Sequence, residues 1–167
     1  MVVIIWGVSG AGKTTIGELL AQELHWKFYH ADDFHPQVNI DKMERGEPLT
    51  DEDRQPWLES LREAITRSLA ANENAVLACS ALKQKYRDLL RVNSDVKFVF
   101  LHGSRRRIAE QLKHRHRHFM NPKLLESQFA DLEKPAPSEN VLTLELGESP
   151  LELVVEKIKS SLREQSQ

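Results

Sequence analysis

Val2-Val3-Ile4-Ile5-Trp6 is a short, unbroken apolar run, mostly β-branched, closed by Gly7. A strand with one wet face would alternate apolar and polar positions. The absence of alternation predicts a central strand buried on both sides, as in a parallel sheet. From Lys13 the period changes, and Ile16, Leu19, Leu20 and Leu24 fall on one face of a helix. Residues 26–30 predict a second strand. Residues 31–56 are polar and irregular, hold three prolines, and leave room for a short helix over 36–45 stopped by Gly46 and Pro48. Thr50 is placed to cap the next helix, with Asp53 as the acid of a capping box and Leu58, Leu61, Ile65 and Leu69 as its apolar face.

The same alternation continues to the end. Strands are predicted over 75–79, 96–101 and 141–144, and helices over 82–91, 104–113 and 122–132. Leu151, Val154, Val155, Ile158 and Leu162 mark a closing amphipathic helix, and residues 164–167 are expected to fray. Strand following helix throughout predicts an α/β fold, a parallel sheet covered on both faces.

Length makes this one domain, residues 1–167. The charges, 23 basic against 25 acidic for a net −2, remove the general electrostatic drive of a nucleic-acid binder. The single cysteine, Cys79, excludes an internal disulfide and fits a reducing compartment. No apolar run approaches the roughly 18 residues of a membrane span, and residues 2–6 are too short for a signal-peptide core. The expectation is a cytoplasmic protein with no membrane or nucleic-acid partner.

Gly7-Val8-Ser9-Gly10-Ala11-Gly12-Lys13-Thr14 matches G-x-x-x-x-G-K-[ST], and Thr15 follows it. Glycines let the chain wrap an anion and turn successive N–H groups inward. The helix opening at Lys13 adds unpaired N–H groups and the positive end of its dipole. Lys13 is expected to reach the β- and γ-phosphates of ATP, and the Thr14 hydroxyl to coordinate Mg²⁺. Only about two in a thousand chains of this composition would match by chance. Here the match also lies between a buried strand and an amphipathic helix, as the chemistry requires.

No D-x-x-G or N-K-x-D of a GTPase occurs, and motors need far more chain. The small-molecule kinases remain. These need a carboxylate beside the acceptor hydroxyl and a cation that closes over the phosphates. Asp32 and Asp33 follow the second strand directly, and Asp32 is the expected acceptor-side carboxylate. The basic stretch Lys113-His114-Arg115-His116-Arg117-His118 is the expected phosphate-contacting lid, whereas Arg105 to Arg107 read as a solvated helix face. Its alternating histidines do not share a helical face, which argues against a metal site.

Longer blocks are more specific. The run His35-Pro36, Asn39, Lys42-Met43, Gly46, Pro48-Leu49, Asp51, Asp53-Arg54 and Pro56-Trp57-Leu58 resembles the segment after strand two of the gluconokinases. Cys79-Ser80-Ala81-Leu82-Lys83 with Tyr86-Arg87-Asp88 resembles their block after strand three. His118-Phe119-Met120, Leu124-Leu125, Ser127-Gln128-Phe129 and Leu132-Glu133 resemble their lid and following helix. The likeness spans Gly7 to Glu133.

That resemblance implies a three-layer P-loop kinase fold with five parallel strands in the order 2-3-1-4-5. It also implies a lid near residues 114–126, a substrate segment near 31–58, and a homodimer. The implied reaction is ATP- and Mg²⁺-dependent phosphorylation of D-gluconate at its 6-hydroxyl. A sugar acid needs cations for its carboxylate, and Arg54, Lys83 and Arg87 are the candidates. His35, His118 and Gln128 are candidate hydroxyl partners, and Arg115 matches the family's lid arginine. Many relatives carry an acid at the position of His30 and a glycine at that of Arg117. Cys79, Trp6, Trp26 and Trp57 read as packing residues. Another small acid or a nucleoside monophosphate as acceptor, or a nucleotide-dependent RNA-binding module, are the competing readings. The glycine-rich turn of shikimate kinases after strand three and the Asp-Gly-Phe-Pro-Arg segment of adenylate kinases are both absent.

Overall fold

In the computed structural model, which describes residues 1–114 and 122–166, five strands form one parallel sheet. They are β1 (Val2–Trp6), β2 (Lys27–His30), β3 (Ala75–Cys79), β4 (Val96–His102) and β5 (Leu142–Glu145), in the order β2-β3-β1-β4-β5. This is the order the resemblance implied. β1 is central, with Ile4 level with Leu77 of β3 and Phe98 of β4. All five of its residues are buried, which is why its sequence shows no alternation.

The two faces of β1 feed two cores. Val2, Ile4 and Trp6 pack against Trp57, Leu58, Leu61 and Ile65 of α3 (Asp51–Ala70) and against Tyr86 and Leu90 of α4 (Gln84–Leu90). Val3 and Ile5 pack on the other side against Ile16, Leu20 and Ala21 of α1 (Lys13–Leu24) and Val155, Ile158 and Leu162 of α7 (Leu151–Glu164). Each large side chain buried in this way contributes about 1.5–3 kcal/mol. The result is a helix–sheet–helix sandwich. No helix of the described residues is long and apolar enough to cross a membrane.

The remaining elements are α2 (Gln37–Glu44), α5 (Arg105–Lys113) and α6 (Leu125–Asp131). The capping box on α3 is present as predicted. The Asp53 N–H donates to the Thr50 hydroxyl at 3.1 Å, and the Thr50 N–H donates to the Asp53 carboxylate at 2.9 Å. Such a cap is worth about 1 kcal/mol. The irregular stretch is shorter than expected, because Pro56 lies inside α3 rather than before it. Its missing N–H would have met the carbonyl of Glu52, an exposed residue, so α3 continues past it.

The chain runs from β1 out through β2 and back to β3, then crosses to β4 on the other side of β1. The C-terminal end of β1 is therefore the point where the connections diverge, the usual crevice of an open parallel sheet.

Candidate active site

The phosphate-loop motif fills that crevice, between Trp6 at the end of β1 and Lys13 at the start of α1. Gly7 has φ +150° and passes so close to β4 that a Cβ would sit 2.4 Å from the Leu101 carbonyl oxygen. Gly10, at φ +83°, would push a Cβ to 2.8 Å from Leu112 of α5. These are the positions where only glycine fits. The Lys13 ammonium folds back over its own loop and donates to the Gly7 carbonyl at 3.0 Å and the Val8 carbonyl at 2.9 Å. Its charge is thus held against the loop that leads into the N-terminus of α1. Thr15 is exposed beside it.

A second helix grips the loop from above. The Ser9 N–H donates to Oε1 of Gln128 on α6 at 2.6 Å, a buried bond across 119 residues. Gln128, the expected partner of a substrate hydroxyl, is buried here with its amide oxygen on the phosphate loop.

β2 delivers the acidic turn. His30 ends the strand, and a 3₁₀ turn over Ala31–Phe34 carries Asp32, half-buried, and Asp33, exposed. The Thr14 hydroxyl and His30 Nε2 are 3.0 Å apart, and His30 Nδ1 is 3.8 Å from the Asp32 carboxylate. His35 follows the turn and stacks on Trp57 with ring centroids 4.3 Å apart, while the Trp57 N–H donates to the Ala31 carbonyl at 2.7 Å. Burial pushes the His35 imidazole down to about 4; the nearby Asp32 charge opposes this and the Arg54 charge adds to it. His35 is thus neutral at pH 7 and within electrostatic range of both. Asn39 donates one amide hydrogen to the Asp53 carbonyl at 2.8 Å, which fixes its orientation, and approaches His35 Nδ1 at 3.3 Å. With Nδ1 accepting, the His35 proton resides on Nε2, a donor for a hydroxyl oxygen.

Arg54 on α3 donates to the Tyr86 hydroxyl at 3.0 Å and to Asp131 of α6 at 3.1 Å. Lys83 and Lys85 donate to the two oxygens of Asp51 at 2.9 and 2.6 Å, and the Tyr86 hydroxyl also donates to Asp51. Hydrogen bonds from Lys85, Tyr86 and Lys83 hold the Asp51 carboxyl well below the usual range. Tyr86 moves the other way, pushed up to about 12 by burial and by Asp51. Arg54 and Lys83 are therefore assembled into one cation–carboxylate network spanning α3, α4 and α6.

Arg87 does not join them. Its guanidinium is fully buried, donating to both Glu139 oxygens at 2.7 and 3.1 Å and to the Ala81 and Leu82 carbonyls at 3.0 Å each. It also lies 4.1 Å over the Trp6 ring. The expectation that Arg87 meets substrate is thus corrected: it braces the β3–α4 turn from below. Arg107, expected to be solvated, donates to the Gly147 carbonyl instead. Arg115, Arg117 and His118 lie outside the described residues, as does most of the expected lid.

Sequence reading missed the contacts that connect distant segments: Thr14 with His30, Arg54 with Asp131, and Ser9 with Gln128. Asp51 and Tyr86 lie in the segments that resemble the gluconokinases, yet neither residue type signals a cation network alone. Burial pushes the Cys79 thiol up to about 12, in keeping with a packing role.

Among the described residues no group of three or more His, Cys, Asp or Glu side chains is arranged to hold a metal. A Mg²⁺ ion would therefore be held jointly, by Thr14 and by phosphate oxygens, with Asp32 beside them. A hard cation that prefers oxygen and keeps much of its water suits that donor set.

Comparison with known proteins agrees with this geometry. The shikimate kinase family profile matches residues 9–163. A probable gluconokinase of Rattus norvegicus is 47% identical over 84% of this chain and 86% of its own. The crystal structure of a sugar kinase from Janibacter sp. HTCC2649 superposes with a TM-score of 0.90 at 43% identity, covering 97% of this chain and 94% of that one. A gluconokinase structure from Sinorhizobium meliloti 1021 gives 0.81 at 38% identity, over 99% and 97%. The chain belongs to the shikimate-kinase-like P-loop kinases and, within them, to the gluconokinase family.

Proposed function

We propose that this chain transfers the γ-phosphoryl group of ATP to the 6-hydroxyl of D-gluconate, giving 6-phospho-D-gluconate and ADP. The observation that carries the reading is the meeting of the phosphate loop and the acidic turn, Thr14 against His30 and His30 against Asp32, with His35 in electrostatic reach of both Asp32 and Arg54 and the gluconokinase relatives in support. Lys13 and the α1 N-terminus bind the phosphates and neutralise charge as it spreads onto the equatorial oxygens. Asp32 accepts a hydrogen bond from the acceptor hydroxyl and aims its lone pair at phosphorus. The His35 Nε2–H and the Arg54–Lys83 network orient the sugar acid, with the two cations nearest its carboxylate. Mg²⁺, which the Thr14 hydroxyl would help to hold, would supply positive charge to offset that of the phosphates. Arg115, by resemblance, closes over the phosphates as a lid cation.

The same resemblance supports one catalytic domain with a substrate segment over 31–58 and a lid over 114–126, acting as a cytoplasmic homodimer. The profile match to shikimate kinases favours one second reading, another small acid as acceptor. A coupled ADP-release panel with ATP and Mg²⁺ tests both, using gluconate, idonate, shikimate, glycerate and AMP. Turnover on gluconate alone is expected. Turnover on shikimate without gluconate overturns the proposal.

A further inference from the structure

The Thr14 hydroxyl has one proton and two lone pairs, and a metal ligand must direct a lone pair, not the proton, at the ion. Something else has to take the proton. The partner in contact is His30 Nε2, at 3.0 Å. Whether that nitrogen accepts or donates depends on which ring nitrogen is protonated, and the rest of the site decides this. His30 Nδ1 is buried, has no hydrogen-bond partner, and faces the Asp32 carboxylate at 3.8 Å. A bare lone pair on Nδ1 would confront that carboxylate, whereas an Nδ1–H presents it with positive density. Electrostatics therefore places the proton on Nδ1 and leaves Nε2 as an acceptor.

We infer that His30 is a positioning residue: Asp32 sets its tautomer, and its Nε2 accepts a hydrogen bond from the Thr14 hydroxyl, which would leave the hydroxyl lone pairs free for a metal ion. One imidazole thus makes the carboxylate that aims the acceptor also orient the phosphate-side metal ligand. Partners of this kind, outside the ligand shell, typically change metal affinity 10–100-fold. The inference rests on the proposed Mg²⁺-dependent phosphoryl transfer.

The test is calorimetric and needs no turnover. ADP is titrated into wild type, His30→Phe and His30→Gln, each with and without Mg²⁺, and the Mg²⁺-induced tightening is the readout. His30→Phe should lose about tenfold of that tightening while its metal-free ADP affinity stays at the wild-type value. His30→Gln, whose amide group reaches the position of Nε2, should recover part of it. A long-range ¹H–¹⁵N correlation spectrum of the wild type should show His30 protonated on Nδ1, which keeps the inference testable if His30→Phe fails to fold. Unchanged Mg²⁺ tightening in His30→Phe, or a proton on Nε2, overturns the assignment. A wild type with no Mg²⁺ tightening at all overturns the metal-dependent reading beneath it, an outcome the wild-type titration separates from failure of the His30 role.

Discussion

Glu139→Ala isolates the residue whose role changed most between sequence and structure, because it strips Arg87 of its carboxylate without touching the cleft. The guanidinium would keep its bonds to the Ala81 and Leu82 carbonyls and its place over Trp6, but lose both bonds to Glu139. A buried cation left without its anion costs about 3–5 kcal/mol. For a domain of this length each kcal/mol lowers the melting temperature by about 2–4 °C, so a fall of roughly 10 °C is expected. Urea unfolding should show the midpoint shift at constant slope. The Arg87→Met, Glu139→Leu double variant strands no charge and should recover part of the loss, the remainder falling on the Ala81 and Leu82 carbonyls and the Ala136 N–H left without their partners. Through all of this KM for gluconate should stay within about twofold of wild type, since no bond to the substrate network is cut. If Glu139→Ala unfolds within about 1 kcal/mol of wild type while KM for gluconate rises tenfold, the reasoning is refuted. Arg87 would then be a substrate ligand.

Three further outcomes follow from the site. Gln128→Met keeps the volume but leaves the Ser9 N–H without its acceptor, a loss of about 1–3 kcal/mol on the phosphate loop; steady-state kinetics should show KM for ATP rising on the order of tenfold and KM for gluconate unmoved. His35 is held at about 4 when folded and reverts to its ordinary value when unfolded, so the unfolded chain binds the extra proton and stability falls as pH drops from about 6.5 to 4. Between pH 7 and 4.5 wild type should lose about 2–3 kcal/mol more than His35→Phe in urea melts, and equal losses would exclude the neutral buried imidazole. Asp32→Asn should lower kcat by about 100-fold or more with an unchanged melting temperature, and retention of most of kcat would remove Asp32 from its role.

What could be read from the chain is what is local. The phosphate loop lies within eight consecutive residues, its glycines set by close approaches to Leu101 and Leu112, and the cap joins Thr50 and Asp53, three positions apart. The strands of β1 and β3 announce their burial by continuous apolar runs. What escaped is long-range. Arg87 has the same sequence signature whether it reaches a substrate or a carboxylate 52 residues on, and only folding brings Glu139 beneath it. Gln128 meets Ser9 across 119 residues for the same reason. Pro56 misled in the opposite sense, since its cost in a helix depends on whether the orphaned carbonyl can reach solvent.

The state of Cys79 has a practical consequence. The chain's single cysteine is fully shielded, and a thiol pushed up to about 12 is scarcely ionised at neutral pH, so maleimides should not label it. Site-directed fluorescence can therefore start from the wild-type gene. A cysteine placed at Val38, 61% exposed on α2 within the segment proposed to meet the sugar acid, would give a single dye position from which to follow acceptor binding.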